Sequence, residues 1–181
     1  MVPLRSDAVR NRARILAAAE AVFAERGVST STEEVAAAAG VAVGTVFRHF
    51  PTKQDLLAAI VKDLLARLTA EVTELASGDP ASGLFTFFSR VVEQAAAKKA
   101  VVELLARHGV SVGVTDPVRG LRDAIGVLLD RARDVGAVRA EVRLDEVMAL
   151  LTATAQGALH GGWDADLRDR TLEVIFTGLR P

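Results

Sequence analysis

Apolar residues in this chain recur at spacings of three and four almost from end to end, and hardly anywhere at two. That periodicity builds helices and leaves no stretch that reads as a strand. Alanine, leucine, arginine and glutamate, all good helix formers, dominate the sequence, so an all-α fold is expected. Half of the 181 residues are hydrophobic, enough for one large domain or two small ones. Punctuation then cuts the pattern into about nine helices. The first starts near Ser6 and Asp7, carries Ile15, Leu16, Ala19 and Phe23 on one face, and stops at Gly27. Ser31 and Glu34 have the spacing of a capping box and open a short helix that Gly40 closes. A third short helix ends at Pro51, and Thr52 with Asp55 offers a cap for a long helix over 53–76. Ser77-Gly-Asp-Pro80 breaks the pattern. Helices are then expected over about 81–97, 98–108, 117–135, 145–160 and 164–179, with Gly136 and the pair Gly161-Gly162 as stops.

The third helix sorts its side chains by function. In Gly40-Val-Ala-Val-Gly-Thr-Val-Phe-Arg-His-Phe-Pro51, Val46 and Phe50 lie four apart with Phe47 beside them, and the three are expected to pack inward. Thr45, Arg48 and His49 fall on the opposite side, and Gly44 allows close backbone approach. With the capped helix before it, small Ala36 and Ala39 where the two helices cross, and a sharp turn at Gly40, residues 32–50 read as a helix-turn-helix. Arg48 can donate to guanine or phosphate, Thr45 to either and His49 to phosphate, while Lys53 sits at a helix start that also favours phosphate. Nothing in the stretch is arranged for catalysis.

Charge agrees locally rather than globally. The formal net charge is −1. Residues 1–60 hold seven Lys and Arg against six Asp and Glu, and Arg5, Arg10, Arg12 and Arg14 form a basic arm ahead of the candidate recognition helix. The chain has no cysteine, and His49, His108 and His160 are scattered, so neither a disulfide nor a metal site is expected, and no cofactor is implied. No apolar run approaches 18 residues and no leader-like apolar core follows the first arginines, which points to a cytoplasmic protein without a membrane partner.

These stretches, together with Ile15-Leu-Ala-Ala-Ala-Glu-Ala-Val-Phe-Ala-Glu-Arg-Gly27 and the continuation through Lys53 to Leu57, resemble the N-terminal domain of tetracycline-repressor (TetR) family regulators over about residues 7–60. The resemblance implies a DNA-binding domain over residues 1–52 and, over 53–181, a helical domain that binds a small effector and dimerises. It also implies that Ser31, Thr32, Val43, Gly44, Thr45, Phe47, Arg48, His49 and Lys53 contact a double-stranded DNA operator. One position departs from the family pattern. Where relatives commonly carry a tyrosine that reaches phosphate, this chain has Phe47, and it contains no tyrosine at all. One phosphate hydrogen bond fewer per half-site, about 1 kcal/mol, is the expected cost.

The remaining two-thirds of the chain is less specific. Ala149, Ala153 and Gly157 repeat at i, i+4 and i+8, and the last helix carries Leu172, Ile175, Phe176 and Leu179. The resemblance implies that these two helices pair with their twofold mates as a four-helix bundle; the alternative is that both faces are intramolecular core. For an effector pocket, the aromatic cluster Phe85, Phe87 and Phe88 and the polar residues His108, Gln156, His160 and Trp163 are the candidates, with Phe88, His108, Gln156 and Trp163 the chosen set for a mostly apolar effector. Two rival functions are open from sequence. Gly109-Val-Ser-Val-Gly113 has the letter pattern of a serine-hydrolase elbow, but a helical run precedes Ser111 and a loop with Pro117 follows, where the elbow needs a strand before and a helix after. The other rival is a helical module that binds protein and not DNA.

Overall fold

The computed structural model describes residues 4–27, 29–97 and 115–181. Among them are eight helices and no strand: α1 (Leu4–Arg26), α2 (Thr32–Ala39), α3 (Val43–His49), α4 (Lys53–Ala76), α5 (Gly83–Ala97), α6 (Thr115–Asp134), α7 (Leu144–Gly161) and α8 (Ala165–Leu179). The helix expected over 98–108, with His108 and the Ser111 motif, lies outside the described residues. No helix among the described residues is long and apolar enough to cross a membrane.

The described residues form two compact units that divide inside α4, after Leu64. In the first unit, α1 packs against α2, and α2 against α3. The expected α1 face is the observed one: Ile15, Leu16, Ala19 and Phe23 are buried at helical spacing. Val35, Ala36 and Ala39 of α2, Val46 of α3, Phe50 and the early α4 residues Leu56 and Ile60 complete this core. Each fully buried side chain of this size contributes roughly 1.5–3 kcal/mol of hydrophobic stabilisation. The α1 helix begins at Leu4, slightly earlier than the sequence suggests, so all four arginines of the basic arm lie in it.

In the second unit α5 packs along α7 and touches α8. Leu84, Phe87, Phe88, Val92 and Ala95 line the buried side of α5. Phe176 of α8 meets both Phe85 and Phe88 edge to face, at centroid distances of 4.9 and 5.6 Å, geometry that adds to the gain from burial alone. Leu121, Ile125, Leu128, Leu129 and Ala132 give α6 its apolar stripe. The Asp164 side chain caps α8 by accepting from the Leu167 amide at 2.9 Å.

Candidate nucleic-acid interface

The geometry of α3 is set by how α2 ends. The Ser31 hydroxyl accepts from the Glu34 amide at 3.2 Å, and the Glu34 carboxylate accepts from the Ser31 amide at 2.9 Å, completing the capping box read from the sequence. That amide, followed by the guanidinium of Arg26 at 3.1 Å, holds the Glu34 carboxyl below its ordinary range. At the other end Gly40 takes a left-handed conformation, φ +62°. Its amide donates to Ala37 at 3.1 Å and the Val41 amide to Ala36 at 3.0 Å, the paired bonds of a Schellman stop. The Ala39 carbonyl, another of the orphaned acceptors at the end of α2, receives the Arg14 guanidinium of α1 at 2.7 Å.

Ala42 then starts α3, and Phe50 ends it by donating its amide to Val46 at 2.8 Å. Thr52 and Asp55 cap α4 reciprocally, the Asp55 amide donating to the Thr52 hydroxyl at 3.1 Å and the Thr52 amide to the Asp55 carboxylate at 3.0 Å.

With both ends fixed, α3 has one possible orientation. Val46 is wholly buried and Phe50 nearly so. At 100° per residue, the positions opposite Val46 are Gly44 and Arg48, flanked by Phe47 and Thr45. Gly44 and Arg48 are exposed and Thr45 half-buried. Phe47 is 42% exposed, so the expectation that it packs inward is wrong. Val46 and Phe50 already fill the inward face of α3, and Phe47, 100° from Val46, is turned toward solvent. Val43 and His49 are half-buried at the edges of the face, and the His49 ring lies 6.3 Å from that of Phe50.

A Cβ added at Gly44 would meet no atom within 4 Å, so the glycine leaves the centre of the exposed face open. Arg48 has no ion pair among the described residues. The Lys53 ammonium lies over the Phe23 ring, with Nζ 5.8 Å from its centroid. Ser31 uses its oxygen as an acceptor, which leaves its hydroxyl proton available to a ligand, and Thr32 beside it is half-buried. All nine residues singled out for DNA contact lie in the first unit, at the N-cap of α2 (Ser31), on α2 and α3 or at the start of α4. The arginines of the basic arm have partners within the protein: Arg10 pairs with Asp7, Arg12 sits 5.3 Å over the Phe50 ring, and Arg14 donates to the Ala39 carbonyl. Only the contacts revealed this, because a helical arginine beside a core position can equally face water.

The effector candidates are dispersed. Phe88 is fully buried under Phe176. Trp163 lies on the backbone of α7: a Cβ added at Gly157 would come within 2.9 Å of its ring and one at Gly161 within 2.5 Å. The Gln156 carbonyl is 3.0 Å from Nδ1 of His160, which donates to it. His108 lies outside the described residues.

The last two helices present a second exposed face. Of the α8 residues singled out from sequence, Leu172, Phe176 and Leu179 are intramolecular core and Ile175 is half-buried; Val174 and Leu167, which were not among them, face out, Val174 with 74% of its surface exposed. On α7, Ala149, Leu150 and Ala153 are exposed. Ala149 and Leu150 share an open groove with Val174, Ile175 and Gly178 of α8. The small-residue stripe of α7 is therefore an outer surface at its first two positions, while at Gly157 it is covered by Trp163.

Comparison with known proteins agrees with this arrangement over nearly the whole chain. Residues 15–60 match the family described as bacterial regulatory proteins of the tetR family, and residues 79–181 match the SbtR-like transcriptional regulator C-terminal domain. The HTH-type transcriptional repressor BepR of Brucella suis is 45% identical over 58 residues, a segment that is 32% of this chain and 28% of that protein. The chain thus aligns with under a third of that relative's length. Likeness to solved structures is more extensive. A TetR transcription regulatory protein from Mycobacterium vanbaalenii superposes with a TM-score of 0.79 and 36% identity, over 99% of this chain and 100% of that one. A TetR transcriptional regulator from Streptomyces coelicolor does so with a TM-score of 0.76 and 32% identity, over 94% and 98%.

Proposed function

This chain belongs to the TetR family of transcriptional regulators, and on that premise we propose that it is a repressor that binds a pseudo-palindromic DNA operator as a homodimer. The observation that carries the reading is the face of α3 opposite buried Val46. It offers an exposed guanidinium at Arg48, a hydroxyl at Thr45 and, at Gly44, a backbone with no side chain before it. An α-helix is about 10–12 Å across its side chains, which a major groove about 12 Å wide admits. Arg48 reads a base edge, Thr45 reads base or phosphate, and Ser31, Thr32, His49 and Lys53 hold the backbone. Val43 and Phe47 supply apolar contact. The DNA-binding part comprises residues 1–52, and α4 leads into the effector-binding and dimerising part, 53–181.

The exposed stripes of α7 and α8 support twofold pairing. Ala149 and Leu150 on one helix and Val174 and Gly178 on the other line one groove, with exposed Ala153 and Leu167 on the same two helices, and small and apolar side chains of this kind suit packing about a dyad. Effector control is a population shift: a small, mostly apolar molecule binds the conformation whose recognition helices are mis-spaced, and operator affinity falls tenfold for each 1.4 kcal/mol of its preference for that state. α4 is one uninterrupted helix through Lys53–Ala76 and is the element suited to carry the change. Phe88, Gln156 and Trp163 of the second unit are the proposed effector set. Trp163 is the single tryptophan, so its fluorescence reports effector binding without a label.

Selection of bound DNA from a random library with the purified protein tests the proposal. An enriched inverted repeat with half-site centres a whole number of helical turns apart is expected. Binding of every sequence with equal affinity at physiological salt would overturn it.

A further inference from the structure

We propose that Arg12 and Arg14 of α1 are positioning residues that clamp α3 from either side, Arg14 through the end of α2 and Arg12 through the residue that closes α3, and that neither is a phosphate contact. The proposal rests on the reading that α3 enters a DNA groove. Two residues apart on a helix, the two side chains leave α1 about 200° apart. They nevertheless reach points on either side of one short helix, the end of α2 before it and Phe50 after it. Arg14 donates to the Ala39 carbonyl at 2.7 Å, in the turn before α3. Arg12 lies with its guanidinium 5.3 Å over the ring of Phe50, the residue that ends α3.

Each contact uses the special chemistry of arginine. The Ala39 carbonyl is an orphan of the α2 terminus that the Schellman bonds of Gly40 and Val41 leave unpaired, and a charged donor satisfies it more strongly than a neutral one. The fit is close: a Cβ on residue 40 would come within 3.0 Å of the Arg14 guanidinium. At Phe50, a flat delocalised cation covers a ring that is 3% exposed, a stacking role that a lysine ammonium does not reproduce. α3 itself is too short to be stable alone and has no side-chain N-cap, so its pose depends on what grips its ends. Base readout tolerates placement errors of only about 0.5 Å, so loss of the clamp removes sequence discrimination before it removes attraction to DNA.

The test compares wild type, Arg14→Gln and Arg12→Lys on the operator selected above and on random duplex, across a salt series. A phosphate contact contributes about 0.9 to the slope of log affinity against log salt, and its loss weakens both DNAs alike. The clamp predicts an unchanged slope on random DNA, random-DNA affinity within twofold of wild type, and a fall of about tenfold or more in the ratio of operator to random affinity for each variant. Arg12→Lys keeps its charge and is the milder change, so it decides the matter if Arg14→Gln does not fold. A slope lower by about one unit for Arg14→Gln, with equal loss on both DNAs, would make Arg14 a phosphate contact and overturn the proposal. Full retention of specificity by both variants would overturn it too. Should wild type itself show no preference for any sequence, the DNA-reading role of α3 fails first, and that result is distinct from either.

Discussion

Replacing Gly40 with alanine tests the local architecture that presents α3. The residue sits at φ +62°, where an L side chain costs about 1–2 kcal/mol. Its new methyl would stand 3.0 Å from the Arg14 guanidinium. The guanidinium must give way by a few tenths of an ångström, and full loss of its charge-assisted hydrogen bond to the Ala39 carbonyl, the upper limit of the effect, would cost about 1.5 kcal/mol. The reduced freedom of the unfolded chain returns about 0.5 kcal/mol. The net expectation is a loss of up to about 2–3 kcal/mol. In urea, with a slope of about 1–3 kcal/mol per molar for a protein of this kind, the unfolding midpoint followed by far-ultraviolet circular dichroism should fall by up to roughly 1–2 M. Gly40→Asn separates the two causes, because asparagine tolerates the left-handed region while its Cβ still crowds Arg14. It should lose about half as much. If Gly40→Ala unfolds within 0.5 kcal/mol of wild type, the turn and its arginine brace do not hold α2 and α3 together, and the reasoning fails.

Gly44→Ala should leave stability unchanged or raise it by up to about 1 kcal/mol, since its Cβ meets open space, and should weaken operator binding at least tenfold in a gel-shift titration. Undiminished affinity would mean that no backbone approaches DNA there. Val174→Arg places two like charges at the proposed dyad without touching the core, so sedimentation should show a folded monomer where wild type is a dimer. The Glu34 carboxyl is held below its ordinary value by the Ser31 amide first and Arg26 second. Its contribution is therefore fully present above the ordinary glutamate range and is lost as pH falls through the lowered value. The stability gap between wild type and Glu34→Gln should narrow over that acidic window in urea titrations, and a constant gap would refute the linkage.

The parts legible in the sequence are those set by local chemistry. Ser31 with Glu34, Thr52 with Asp55, the stop at Gly40 and the break at Pro51 each act through hydrogen bonds or backbone conformation within a few residues, and each stands where the spacing put it. Helix faces were legible where the stripe was narrow, as on α1. Phe47 was misjudged because hydrophobicity alone drew it inward, whereas its angular position on α3 was decided by the packing of Val46 and Phe50. On α8, apolar residues occur on both sides, and composition could not say that Phe176 turns toward Phe88 while Val174 turns out. The engagement of Arg12 and Arg14 depends on residues 25 to 38 positions away, a relation no local pattern encodes.

The central claim is that the Gly44 and Arg48 face of α3 reads bases. Its most direct test is the affinity of wild type and Arg48→Ala for a panel of operators substituted one base pair at a time, beside the double variant Thr45→Ala with His49→Ala. Wild type should lose about 1–3 kcal/mol at the base pair Arg48 contacts. Arg48→Ala should bind all bases equally at that position alone, while the double variant weakens every operator by a similar factor. Arg48→Ala with undiminished discrimination at every position would contradict the account.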